Sequence, residues 1–171
     1  MKVNINYKSK SVELDIPDEK LEELVKEKKT GWEKPLNSGL TGSLYYYINK
    51  SGEVCTDNNH GFEICDKCYE RGNCFTSGEL AKNIARYQSL DLRIRRRIAE
   101  ICEPVDWSDG DSCKVYIYYD HCYKKLDVSG WYGCQYSGWH CDTKAHAEQI
   151  IEEFKDELTW YFTEFKDRMD G

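Results

Sequence analysis

The sequence predicts an α+β protein built from successive ββα units, with antiparallel sheets and two long amphipathic helices packed on one face. Three observations lead there. Short alternating segments occur in pairs at residues 2–16, 44–57 and 114–128, each pair joined by a tight polar connection that marks a hairpin. Behind each pair comes a stretch whose apolar residues recur every three or four positions, the period of a helix face. Hairpins followed by helices segregate into antiparallel sheet covered from one side.

The first unit opens with alternation over residues 2–7 and 12–16 and turns at Lys8-Ser9-Lys10. Pro17 and Asp18 then start a helix with Leu21, Leu24 and Val25 on one face. Its acids (Asp18, Glu19) come first and its bases (Lys26, Lys28, Lys29) last, which complements the helix dipole, and Gly31 supplies a C-terminal stop. This makes a small module over 1–30. Residues 31–43 carry three Gly, one Pro and two Ser without any period and read as a linker, with Trp32 available to pin it to a neighbouring surface.

The main α+β domain then spans 44–171 as two weakly similar ββα units. Leu44–Ile48 and Glu53–Asp57 form a hairpin around Asn49–Gly52, followed by an irregular Cys-rich stretch. Thr76 and Glu79 have capping-box spacing ahead of a helix carrying Leu80, Ile84, Tyr87, Ile94, Ile98 and Ile101. Asp91 occupies the vacant slot of that stripe, and a kink is expected near 89–91. Lys114–Tyr119 and Lys125–Val128 form the third hairpin. Asp142 or Thr143 caps a last long helix with Ala147, Ile150, Ile151, Phe154, Leu158, Tyr161, Phe162 and Phe165 on one face.

Composition narrows the function classes. The 171 residues hold 24 basic and 31 acidic side chains, a net charge of −7, which disfavours direct DNA binding because phosphate-backbone contact needs clustered Lys and Arg. Nothing approaches the ~18 consecutive apolar residues of a membrane span. The opening Met1-Lys2-Val3-Asn4 lacks an apolar run with a small-residue cleavage site. With nine Cys, an odd number, it leads us to expect a cytoplasmic protein with reduced thiols.

An ordered set of segments carries a resemblance: Leu44-Tyr-Tyr-Tyr-Ile48 with Gly52-Glu-Val54, Arg71-Gly-Asn-Cys-Phe-Thr76 opening a helix, Trp107, Lys114-Val-Tyr-Ile-Tyr-Tyr-Asp120, and a final helix after Cys141-Asp-Thr143. Over roughly residues 32–165, with Trp32 through Pro35 also fitting, the chain resembles a widespread family of small phage and prophage proteins of Gram-positive bacteria, mostly without assigned function. The resemblance implies a setting among accessory genes whose products inhibit host defences such as CRISPR or intercept host enzymes and signals. It carries over no catalytic residues. Cys65, Cys68, Cys74, Cys134 and Cys141 depart from the family pattern.

Four candidate sites stand out. His60, Cys65, Cys68 and Cys74 are the right number and kind of ligands for a closed structural zinc site, although they crowd into one segment; a second group is His121, Cys122, Cys134, His140 and Cys141. The alternative use of such thiols is as small apolar fillers, with no cofactor. Arg93, Arg95, Arg96 and Arg97 fan around the exposed side of one helix, to contact phosphates or an acidic partner, or else to pair with the acidic helices of the same chain. Residues 148–170 hold eight carboxylates against three bases, net −5. At 100° per residue Trp160 falls on the far side of that helix from its apolar stripe, among Glu153, Asp156, Glu157, Glu164 and Asp167. An exposed Trp in an acidic rim has the character of an interface anchor; the alternative is packing on the N-terminal unit or at a homodimer seam. Finally, alternation puts Tyr45 with Tyr47, and Tyr116 with Tyr118, on single sheet faces, where they can stack bases, bind protein, or pack beneath a loop.

No phosphate-cradling Gly loop, metalloprotease helix or nucleophile elbow is present, so no enzyme activity is expected. The leading expectation is a non-enzymatic, phage-type counter-defence protein that binds and inhibits a host protein. In its most concrete form it is an anti-CRISPR-like inhibitor of a Cas nuclease, alone or with its guide RNA, whose basic channel accepts the acidic helix and Trp160. The alternatives are a small-ligand or nucleotide sponge and a nucleic-acid-binding regulator, both using the Tyr faces and the Arg-rich helix.

Overall fold

Alternation in the first segment becomes a hairpin: β1 (Lys2–Tyr7) pairs antiparallel with β2 (Lys10–Asp15), Tyr7 opposite Lys10. The structure, a computed structural model, describes residues 2–7, 10–15, 31–35, 42–132 and 138–165. The helix expected after Pro17, residues 36–41 of the expected linker, Cys134, and Asp167 with the end of the last helix lie outside the described residues. The elements that follow are β3 (Ser43–Ile48), β4 (Val54–Asn59), α1 (Glu63–Glu70), α2 (Gly78–Ile101), β5 (Lys114–Asp120), β6 (Lys125–Trp131), β7 (His140–Cys141), α3 (Lys144–Glu153), α4 (Lys155–Trp160) and a π-helical turn over Tyr161–Phe165. The class is α+β with antiparallel sheets, as the pairing of short strands predicts. Contacts divide the chain into a unit of residues 1–47 and 55–78 and a unit of residues 48–54 and 79–171.

In the first unit, β3 and β4 form a two-stranded sheet, and Phe75 adds to β3 through reciprocal backbone bonds with Tyr46 of 2.8 and 2.9 Å. The Cys-rich stretch is not irregular throughout. Glu63–Glu70 forms a helix that turns Cys65 inward, where it clusters with Tyr45 and Cys74. Residues 31–35, read from sequence as linker, are docked: Trp32 lies 5.0 Å from the Phe75 ring. Asn59 donates to the Pro35 carbonyl at 2.8 Å, and Glu33 accepts from the Gly31 N–H and the Thr76 hydroxyl. Thr76 therefore ties down this strap, and α2 begins two residues later, at Gly78.

The turn ahead of β4 follows from one side chain. Asn49 Oδ1 accepts from the Ser51 and Glu53 backbones at 2.9 and 3.0 Å, and Gly52 takes φ = +82°, a conformation glycine adopts without steric cost.

The second unit is a three-stranded sheet in the order β6-β5-β7, with α2, α3 and α4 supplying apolar side chains to the core on one of its faces. Val115 and Ile117 of β5, Trp139 and Cys141 meet Leu90, Ile94, Ala147, Ile150 and Leu158 there. Helix α2 runs unbroken through 89–91, with Leu90 buried. Asp91, the polar residue within its apolar stripe, accepts from Trp139 Nε1 at 3.0 Å and from Arg95 Nε.

The last helix differs from its periodic reading. It stops at Phe154 (φ −120°, ψ 20°), restarts over Lys155–Trp160 and ends in the wider π turn. Thr143 caps its start, accepting from the His146 N–H at 3.3 Å. Leu158, downstream of the break, is fully buried. Leu158→Ala should cost ~2–5 kcal/mol in urea denaturation, as large-to-small changes in packed cores do. Leu92→Ala, on the exposed side of α2, should stay within ~0.5 kcal/mol.

Candidate functional site

The candidate surfaces do not survive equally, and Trp160 changes most. It is buried, 6% exposed, with the Arg86 guanidinium 3.8 Å above its ring and Phe165 5.3 Å away. The break at Phe154 resets the rotation of the chain, so a helical wheel drawn through it at constant pitch assigns Trp160 to the wrong side. A Trp clasped in this way is not a surface anchor.

The acidic set and the arginine set meet each other. Arg97 bonds both Glu153 oxygens at 2.8 Å, and Arg93 pairs with Glu157. Arg95 turns back to Asp91 one helical turn away. Hydrogen bonds from Arg97 and then Gln149 hold the Glu153 carboxyl below the usual range, and the bonds to Glu153 and Glu100 push the Arg97 guanidinium above its own. Asp156, Glu164 and Arg96 remain exposed. Self-pairing thus removes much of the two-signed surface that the sequence offers to a partner.

The first Cys group also resolves differently. Tyr45 is 3% exposed and packs with Cys65 and Cys74, while Tyr47 and Cys68 border them. Cys65 donates to the Tyr45 hydroxyl at 3.8 Å. Burial, then Cys68 and Cys65, push the Cys74 thiol up to about 11. His60 lies against Phe62 and Gly42, and the atoms of His60, Cys65, Cys68 and Cys74 do not converge on one point. The packing of Cys65, Cys68 and Cys74 with Tyr45 and Tyr47 fits the use of these thiols as small fillers.

On the second unit, strand alternation places Val115 and Ile117 toward the helices and Tyr116 and Tyr118 on the other face. In register, Tyr116 stands opposite Ser129 and His140, and Tyr118 opposite Asp127. The Tyr116 ring lies 6.0 Å from Tyr118 and 6.3 Å from His140. Trp107, 42% exposed, stands edge-on to His140 at 5.0 Å. Beside them is a cleft of about 740 Å³ whose walls include Arg95, Ala99, Cys102, Trp107, Trp139 and His140.

His140 Nε2 is buried and has no hydrogen-bond partner among the described residues. Burial lowers the imidazole pKa, against a smaller opposing effect of a hydrogen bond to the Gly138 backbone. A buried polar atom without a hydrogen bond costs ~1–3 kcal/mol.

The neighbouring residue, Cys141, points into the core. Burial, then Cys102, push its thiol up to about 12. Cys102, Asp142 and His146 bring one ligand atom each within 4.8 Å of the others, a group the sequence did not single out. The readable signals were Asp142 and His146 four apart at a helix start. The pairing with Cys102 spans 40 positions and leaves no local trace. Burial would raise Asp142, but bonds from His146, the Glu103 N–H and Cys102 outweigh it and hold the carboxyl at about 2.

Comparison with protein-family models, with curated proteins and with solved structures finds no match to this chain. Among the described residues no helix is long and apolar enough to cross a membrane.

Trp160→Ala should lower unfolding stability by ~3–5 kcal/mol, as truncation of a buried aromatic does, with thermal denaturation as a second readout. Alkylation of the native protein should modify the exposed Cys113 and Cys122 first. The buried Cys65, Cys74 and Cys141 should react only after unfolding, because thiolate character and access both control the rate.

Proposed function

We propose that the chain is a non-enzymatic binding protein whose second unit takes a small planar ligand of nucleobase type in the cleft beside Trp107 and His140. The observation that carries this reading is the exposed indole of Trp107 set edge-on to His140 in the wall of the cleft. A heteroaromatic ring entering there gains an indole face to stack on. Tyr116 lies behind His140, 6.3 Å from its ring, and Arg95, paired with Asp91, stands in the wall of the same cleft.

The charge balance supports a small ligand over a polynucleotide. The chain carries −7, and Arg93 and Arg97 are engaged by Glu157 and Glu153. In the phage-accessory setting that the sequence resemblance implies, such a protein acts as a sponge for a nucleotide signal. Inhibition of a Cas nuclease through the acidic helix loses its anchor with Trp160 buried, so the sponge reading is the better supported of the two.

Isothermal titration with the four common nucleosides and their monophosphates tests this. At least one should bind, and Trp107→Ala should weaken it about tenfold or more, in line with the ~1–3 kcal/mol that a base–aromatic stack is worth. Asp156→Ala, on the exposed acidic helix, should leave the affinity unchanged. Absence of binding across the panel, or equal affinity in Trp107→Ala, would refute the reading.

A further inference from the structure

We infer that Cys102, Asp142 and His146 form a binding site for a borderline-soft divalent transition metal, with zinc as the fitting ion. This does not rest on the cleft ligand. The three side chains come from three places in the second unit. Cys102 follows the last residue of α2, its backbone N–H bonded to the Ile98 carbonyl at 2.8 Å. Asp142 follows β7, and His146 lies in the first turn of α3. The ligand atoms lie within 4.8 Å of one another, and His146 Nδ1 is 2.6 Å from Asp142 Oδ1.

The donor set is a sulfur, an imidazole nitrogen and a carboxylate oxygen, the combination that zinc takes and that calcium and magnesium do not. Each donor is also held in place. Asp142 Oδ2 accepts from the Glu103 N–H at 3.0 Å, which fixes the carboxylate and turns Oδ1 toward His146. The His146 backbone N–H is bound to the Thr143 cap, which fixes the first turn of α3. The Cys102 sulfur lies within 4.8 Å of the Asp142 and His146 ligand atoms, so it already faces the group. Second contacts that orient the ligands in this way are what a metal site requires.

Tetrahedral bonds of ~2.0–2.3 Å put ligand atoms about 3.3–3.8 Å apart, so closing on the ion needs only a small contraction at the sulfur and a slight opening of the His–Asp pair. Binding releases the Cys102 thiol proton to solvent and leaves the His146 ring proton on Nε2, so that Nδ1 is free to bind the ion. The remaining coordination position is open to water. The ion would tie the end of α2 to the β7–α3 junction across 40 residues of chain, an arrangement in which metal binding adds directly to folding stability.

The test uses the full chain, stripped with chelator, reloaded with zinc and desalted, then analysed for metal. About one equivalent should remain in the wild type, and Cys102→Ser and His146→Gln should each retain less than about a tenth. Cys68→Ser, in the other cysteine group, should keep its metal. Cobalt in place of zinc should give tetrahedral ligand-field bands with a thiolate charge-transfer band that Cys102→Ser removes. Because a variant can fail to fold, the wild type supplies a second readout: zinc should protect Cys102 from alkylation, and chelator should expose it. Metal retained in the Cys102 and His146 variants, no metal in the wild type, or alkylation of Cys102 indifferent to zinc would each overturn the assignment. The three residues would then be a hydrogen-bonded lock and nothing more.

Discussion

The bond from Trp139 to Asp91 fixes the segment on which the rest of the second unit depends. An indole buried in a hydrophobic core needs a partner for its N–H, and helix α2 provides one by placing a carboxylate in the middle of its apolar stripe. With Trp139 anchored, the flanking residues have determined directions. His140 goes to the aromatic side of the sheet, Cys141 to the core, and Asp142 to the start of α3. Both candidate sites are therefore read out from one short strand, one on each side of it.

The break at Phe154 is the second determinant. It divides what periodicity describes as a single helix into three pieces, and the downstream pieces fold Trp160 under Arg86 and against Phe165. Glu153 and Glu157 end up within reach of Arg97 and Arg93. Exposed ion pairs contribute little stability, ~0–1 kcal/mol each. Their consequence here is negative: they occupy groups that would otherwise be offered to a basic protein or to phosphate. Among the described residues, the aromatic side of β5 and β7 keeps Trp107, Tyr116 and His140 grouped together.

The hairpins and the long helix α2 were legible because burial on one face imposes a period that survives in the sequence. Val115 and Ile117 against Tyr116 and Tyr118 sort as alternation requires, and Asp91 announces itself as a polar residue in an apolar slot. The alternative in which the arginines pair with acids of the same chain could also be stated in advance, because the net charge of −7 opposes nucleic-acid binding. Trp160 was not legible, because a helical wheel assumes an unbroken helix and nothing at Phe154 advertises a stop. Helix α1 was missed because cysteines carry little helical signal. The approach of Cys102 to Asp142 is a product of tertiary packing alone.

The most direct test is a two-dimensional NMR spectrum of the indole N–H groups, because the five tryptophans report on separate parts of the account. The Trp139 and Trp160 indoles should exchange slowly with solvent, and addition of a binding nucleoside should move the Trp107 resonance while leaving Trp160 in place. A Trp160 indole that exchanges freely, or a ligand response at Trp160 without one at Trp107, would contradict the account.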